Sequence, residues 1–303
     1  TIDREWIDWP EPIGWTEDSQ SVLIRMQINA RADLLRVSLD GQELEPVLQQ
    51  DGCHKGMSVR DDWVVGLHDS LLRPTAPFVA RLGRRTHRQR TELLHRAPTH
   101  VDQIATWTEL TVNGAGGTPV QSFVIRPATQ GPHPVLFWVH GGPISHWGDW
   151  WHWRWNPLVF VALGYAVVLP NPRGSRGFGH DFIAGIWSNQ WGAACFEDLM
   201  CVADALDDVP DLDTTRMGAM GASFGGYMMN WFGGHTDRFK AIISHAGIFD
   251  MSAFYGTTDL PAWWKLQMAG NPYTDPDKHD RFSPHRFVSN WKTPTLIIHG
   301  EKD

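Results

Sequence analysis

The sequence predicts an α/β protein: a mostly parallel sheet with helices on both faces, preceded by a region of short strands. Three observations carry this expectation. From about residue 106 onward, continuous apolar runs such as Pro134–Val139 and Gly164–Leu169 alternate with helical stretches, the pattern of strands buried on both faces. Before that point, strand-length runs are separated by turn signals. Between an apolar run, Arg216–Met220, and a helical one, Met228–Phe232, stands Gly221-Ala222-Ser223-Phe224-Gly225-Gly226-Tyr227.

Residues 1–105 give strands at Ser21–Ile28 and at Asp33–Ser38, the second ending in an Asp40-Gly41 turn. Trp63–Leu67 and Phe78–Leu82 continue the pattern. Spans 13–50 and 55–97 each have about the length of one four-stranded β-propeller blade, and Gly14–Gln20 reads as the entry to an inner strand. Two blades cannot close a ring, so this reading requires further blades before Thr1.

Residues 106–303 open with two antiparallel strands from Trp107 to Arg126, joined by the turn Asn113–Gly117. The strands Pro134–Val139 and Gly164–Leu169 follow, then a helix over Ala194–Leu206 with Glu197, Asp198 and Asp204 facing solvent. Met217–Met220, Ala241–Ser244 and Thr295–Ile298 are three more strands.

Composition narrows the function. A charged fraction of 20% beside 42% hydrophobic residues marks a globular chain. The net charge of −8 argues against a nucleic-acid partner. The basic group Arg84, Arg85, Arg88 and Arg90 reads as a solvated hairpin. No apolar run approaches the roughly 20 residues of a membrane span, so no membrane partner is expected. The polar opening Thr1-Ile2-Asp3-Arg4-Glu5 lacks both a secretory leader and Met, and reads as the start of a fragment or a processed chain. Cys53, Cys195 and Cys201 have neither metal-type nor disulfide-type spacing, and the last two fall on different faces of one helix. None of the 15 histidines falls in a His-Glu-x-x-His pattern, so no metal is expected. Trp147, Trp150, Trp151, Trp153 and Trp155 read as filling between domains, with a cleft lining as the alternative.

The chemistry rests on four motifs. Gly-x-Ser-x-Gly between strand and helix is the nucleophile elbow of an α/β hydrolase, with Ser223 on a tight, strained turn and flanking residues that must lack a Cβ. Acyl transfer also needs amide donors aimed at the developing oxyanion. Phe224, following the nucleophile, supplies one amide, and the turn His140-Gly141-Gly142-Pro143 supplies the other, through Gly142 with Gly141 beside it. The third motif is Asn171–Gly179, whose Arg173 either orients loops or binds a peptide carbonyl. The fourth, Ile297–Asp303, brings a carboxylate to a strand end, where this fold holds the triad acid; Asp303 is the candidate and Asp250 the runner-up. His140, Arg173 and Tyr227 are the candidates to meet substrate.

The order in this fold is Ser, acid, His. Every histidine here precedes Asp303, and His235, His245 and His299 all sit in segments better suited to packing. The base is therefore expected in a segment beyond Asp303, and the chain alone is expected to turn over negligibly.

Together the motifs resemble the prolyl oligopeptidase family of serine peptidases, nearest its acylaminoacyl-peptidase and dipeptidyl-aminopeptidase-like branch. The likeness lies in Gly221–Tyr227, His140–Pro143, Asn171–Gly179 and His299–Asp303, with Ser283-Pro284 and Thr293-Pro294 before the last strand. It covers about 106–303 well and 1–105 loosely. It implies an α/β hydrolase domain over 106–303 preceded by a β-propeller remnant over 1–105. It also implies cleavage of short peptides near an N-terminus through an acyl-enzyme, with Ser223 as nucleophile and Asp303 as acid. Some branches place a tyrosine hydroxyl in the oxyanion hole where this chain has His140, so a backbone donor is the expectation here. The triad needs no cofactor, the partner is a peptide substrate, and self-association stays open. A cytoplasmic setting is expected, with a periplasmic one as alternative. Two rival functions are an ester hydrolase with the same core and a binding protein with an incomplete triad.

Overall fold

The computed structural model describes residues 9–48, 51–82, 92–93, 101–188 and 190–303. The basic group at Arg84–Arg90 lies outside them. The chain forms two compact units, and the second is built on residues 104–147, 157–175 and 181–303. The segments 148–156 and 176–180 belong to the first unit, a threading that the linear boundary at 105/106 does not anticipate.

The first unit is a pair of four-stranded antiparallel meanders. One comprises β1 (Glu11–Trp15), β2 (Ser21–Ile28), β3 (Arg31–Ser38) and β4 (Leu44–Leu48). The other comprises β5 (Cys53–Arg60), β6 (Trp63–Ser70), β7 (Arg73–Arg81) and β8 (Glu92–Leu93). A parallel bridge at Ala32 and Cys53 joins them. Alternation along β2 and β3 sends Leu23 and Leu34 into one core, with Val64 and Phe78, while Ile24, Met26, Leu35 and Val37 form another on the opposite face. At the β3–β4 turn Gly41 has φ 74° and its amide donates to Ser38 O at 2.9 Å, as the Asp-Gly pair predicts.

The second unit holds the seven-stranded sheet, whose strands lie side by side in the order Thr295–Ile298, Ile242–His245, Leu212–Ala222, His133–Val139, Ala166–Asn171, Pro119–Pro127, Ala105–Asn113. After α1 (Val101–Ile104) come β9 (Ala105–Asn113), β10 (Pro119–Pro127), β11 (His133–Val139), α2 (Leu158–Ala162), β12 (Ala166–Asn171) and α3 (His180–Ala184). A π-turn over Trp191–Cys195 leads into α4 (Phe196–Ala205), followed by β13 (Leu212–Ala222), α5 (Phe224–His235) and β14 (Ile242–His245). Helices α6 (Met251–Thr257), α7 (Pro261–Met268) and α8 (Pro276–Asp280) precede β15 (Thr295–Ile298). The pairings β11–β12, β11–β13, β13–β14 and β14–β15 are parallel, whereas β9 and β10 are antiparallel. Every residue of β12 is buried, which explains the apolar run that precedes its closing Asn171. Helix α5 is buried from Phe224 through Gly234 and apolar there but for Asn230 and the Tyr227 hydroxyl, the character of a central helix. At the sheet edge, Leu296, Ile297 and Ile298 are exposed.

Two expectations for the helical region need correction. The π-turn puts Cys195 at the helix entrance, fully buried, while Cys201 lies within α4 and is partly exposed. Glu197 and Asp204 face solvent as expected, but Asp198 is wholly buried, for a reason that lies in Arg173. No helix among the described residues is long and apolar enough to cross a membrane.

Candidate active site

Ser223 occupies the turn between β13 and α5 with φ 58° and ψ −119°, a conformation that L residues adopt only under strain. The strain is held by what surrounds it. The Ser223 amide donates to His245 O at 3.0 Å, and Ser223 O accepts from the Tyr227 amide at 2.8 Å. A Cβ on Gly221 would stand 2.5 Å from the carbonyl carbon of Gly225, and one on Gly225 would collide with Val139 O. Gly226 meets Gly247 equally closely, at 2.7 Å from the position of its absent Cβ. The glycines therefore let strand, turn and helix approach to backbone contact. Ser223 is exposed, whereas the eleven residues after it are buried.

The amide of Phe224 opens α5 and has no partner within the helix. Its ring is fixed edge-on to Trp191, centroids 5.0 Å apart, so this donor sits on a rigid support. The turn after β11 comes to the same place. The position of a Gly141 Cβ lies 3.5 Å from Ser223 Cβ and 3.2 Å from Ala222 O. Gly142 follows with φ 125°, a region that favours glycine.

Asp303 closes a turn after β15, its amide donating to Gly300 O at 3.2 Å. Ala222, His245 and Ile298 are paired in register across β13, β14 and β15. Ala222 and Ile298 thus lie two strand spacings, about 10 Å, apart at the carboxyl ends of their strands, with Ser223 one residue after the first and Asp303 five residues after the second. His299 Nε2 lies 3.9 Å from Asp303 Oδ2. The runner-up acid, Asp250, is used otherwise: its Oδ1 caps α6, accepting from the amides of Ser252 and Ala253 at 2.9 and 3.1 Å. His235 stands at the far end of α5, about 18 Å from the turn at 1.5 Å per residue. There it stacks on Trp231 at 3.6 Å between centroids.

Three residues expected to meet substrate face inward instead. The Arg173 guanidinium is held by Asp198, with Nε to Oδ2 and Nη2 to Oδ1 both at 2.8 Å, and Nη2 also donates to Ala194 O. Asp198 further accepts from the amides of Arg173 and Ala115, each at 3.0 Å, so a fully buried carboxylate is answered on both oxygens. Tyr227 is completely buried and its hydroxyl donates to Phe282 O at 2.9 Å. His140 is 4% exposed; Nδ1 lies 2.6 Å from Gly141 O and Nε2 lies 2.9 Å from Ser175 Oγ. Burial holds its imidazole down at about 4, so it is neutral at pH 7. The sequence sets Asp198 facing solvent, and within the Asn171–Gly179 motif it gives Asn171 and Ser175 no role of their own. Asn171 did carry a signal, as an amide closing an otherwise apolar strand.

Among the described residues no group of three His, Cys, Asp or Glu side chains could hold a metal. An exposed serine on a strained strand–helix turn, beside the Gly141-Gly142 turn and with a carboxylate in the loop that follows a strand two places away, has the layout of an α/β hydrolase site. The comparisons narrow that class. A model of the prolyl oligopeptidase family matches residues 151–303. The whole chain aligns with "Dipeptidyl-peptidase 5" of Trichophyton equinum at 33% identity over 325 residues, covering 43% of that protein. The corresponding protein of Arthroderma benhamiae is 31% identical over the same span. The fold matches Pyrococcus horikoshii acylaminoacyl peptidase with a TM-score of 0.79 at 23% identity, over 94% of this chain and 45% of that one. It also matches a Mycobacterium tuberculosis puromycin-hydrolyzing peptidase with a TM-score of 0.78 at 22% identity, over 95% and 45%. The chain belongs to the prolyl oligopeptidase family. It spans 43% of the length of the curated relatives it matches.

Proposed function

We propose that the full-length protein is a serine peptidase that cleaves short peptides near the N-terminus, releasing acylaminoacyl or dipeptidyl units through an acyl-enzyme on Ser223. One observation carries the reading: the exposed Ser223 stands on a φ 58° turn with the Gly141-Gly142 backbone at its side. In this reading Ser223 Oγ attacks the scissile carbonyl, and the carbonyl oxygen becomes an oxyanion that accepts hydrogen bonds from the amides of Phe224 and Gly142. Asp303 orients the histidine that takes the serine proton and returns it to the leaving amine. By the order of the triad that histidine follows Asp303 in the full-length protein. The relatives, a dipeptidyl-peptidase 5 and an acylaminoacyl peptidase, support peptides as the substrate class. The two antiparallel meanders support the reading of the first unit as part of a β-propeller.

The test is hydrolysis of dipeptidyl and acylaminoacyl p-nitroanilides by the full-length protein and its Ser223→Ala variant, beside p-nitrophenyl esters. Peptide turnover that vanishes with Ser223→Ala supports the proposal. Turnover that survives the substitution, or activity confined to esters, overturns it.

A further inference from the structure

The loop that brings Gly142 to the nucleophile is pinned at both ends by one segment. At its far end, Asn171 Oδ1 accepts from the Trp147 amide at 2.7 Å and Nδ2 donates to Trp147 O at 2.9 Å, with a second bond to Gln121 Oε1 at 2.7 Å. At its near end, Ser175 Oγ meets His140 Nε2 and His140 Nδ1 meets Gly141 O. Asn171 and Ser175 are fully buried, so no water competes for these bonds.

Proton counting sets their direction. A carbonyl oxygen only accepts, so Nδ1 of the neutral His140 carries the proton and donates to Gly141 O. Nε2 is then a bare acceptor. Pro172 O, 2.7 Å from Ser175 Oγ, also only accepts, so the single hydroxyl proton of Ser175 is shared between Pro172 O and Nε2 in a three-centre contact that holds the hydroxyl between the strand exit and the ring. The carbonyl of Gly141 and the amide of Gly142 belong to the same planar trans peptide, so they point in opposite directions. A grip on the one aims the other. Glycine at both positions gives this peptide more freedom to rotate than any other pair would, and so the greatest need of a grip.

We infer that Ser175 and His140 are positioning residues for the oxyanion donor, holding Gly141 O so that the Gly142 amide faces the carbonyl under attack. The inference rests on the peptidase reading above. Its test uses the full-length protein with Ser223→Ala as the reference for that reading. Ser175→Ala is expected to lower kcat roughly 10-fold with KM within twofold, since only the transition state carries the oxyanion. Affinity for a peptide boronate, whose tetrahedral adduct fills the oxyanion hole, is expected to fall in parallel, while the peptide product binds unchanged. His140→Asn, whose amide nitrogen can still reach Gly141 O, is expected to retain more kcat than His140→Gln. If Ser175→Ala does not fold, Ser175→Cys replaces it and is expected to lower kcat and boronate affinity less. Wild-type kcat and boronate affinity in the Ser175 variant, or a loss confined to KM, overturns the positioning role while Ser223→Ala remains inactive. Activity in Ser223→Ala overturns the underlying reading instead.

Discussion

Gly221 and Gly225 face each other across the Ser223 turn so closely that a methyl group on the first would stand 2.5 Å from the carbonyl carbon of the second. Neither partner can yield, because both are backbone. Gly221→Ala is therefore expected to destabilise the second unit by about 2–3 kcal/mol, the range of an overpacked core. Labelling of Ser223 by a fluorophosphonate is expected to drop with it. Urea unfolding and active-site labelling check the two effects separately.

The strained backbone of Ser223 predicts a gain on relief. Ser223→Gly is expected to be about 1 kcal/mol more stable than Ser223→Ala, because glycine takes φ 58° without steric cost. Thermal unfolding of the two inactive variants decides it; equal midpoints would mean that the turn is relaxed.

The Arg173–Asp198 pair predicts a stability effect. Asp198→Ala strands a largely buried guanidinium and leaves two amides without an acceptor, with an expected loss of about 3–5 kcal/mol. Arg173→Lys, which cannot form the two-pronged contact, is expected to lose stability while KM for peptide stays unchanged. A raised KM at full stability would return Arg173 to the substrate.

His140 predicts how acid acts on the second unit. Its folded value of about 4 lies below the ordinary 6.5, because burial disfavours the charged ring. Between those values the unfolded chain binds a proton that the folded one refuses, so stability falls as pH drops from about 6.5 to 4. The full difference is of the order of 3 kcal/mol. Comparing unfolding of wild type and His140→Gln at pH 7 and pH 5 measures it; the variant's profile is expected to be flatter.

Asp303 is exposed, accepts no internal hydrogen bond among the described residues and sits on a surface turn. Asp303→Asn in the full-length protein is expected to cut kcat by about 10⁴-fold, as loss of a triad acid does, with unfolding shifted by no more than about 0.5 kcal/mol. Steady-state kinetics beside thermal unfolding checks the pair of outcomes.

Much of this organisation can be read from residue types. Ser21–Ile28 is a strand at the bounds its apolar pattern predicts, and the glycines around Ser223 announce the turn they make possible. Both are local: one period, one steric requirement. The directions of long polar side chains are not local. Arg173, Tyr227 and His140 carry groups that suit a substrate, and nothing in their neighbours along the chain reveals Asp198, Phe282 O or Ser175 as the partners that claim them. Asp198 shows the same limit from the other side. On a helix rich in acids its period looks solvent-facing, and only the guanidinium 25 residues earlier makes its burial affordable.

Strand β15 has a practical consequence for handling the protein. Leu296, Ile297 and Ile298 are 56%, 62% and 46% exposed along the border of the sheet. A preparation of this span alone would present a sticky hem to its own copies. Its light scattering should climb with concentration, and a lysine in place of Ile297 should restore a clear, monodisperse solution.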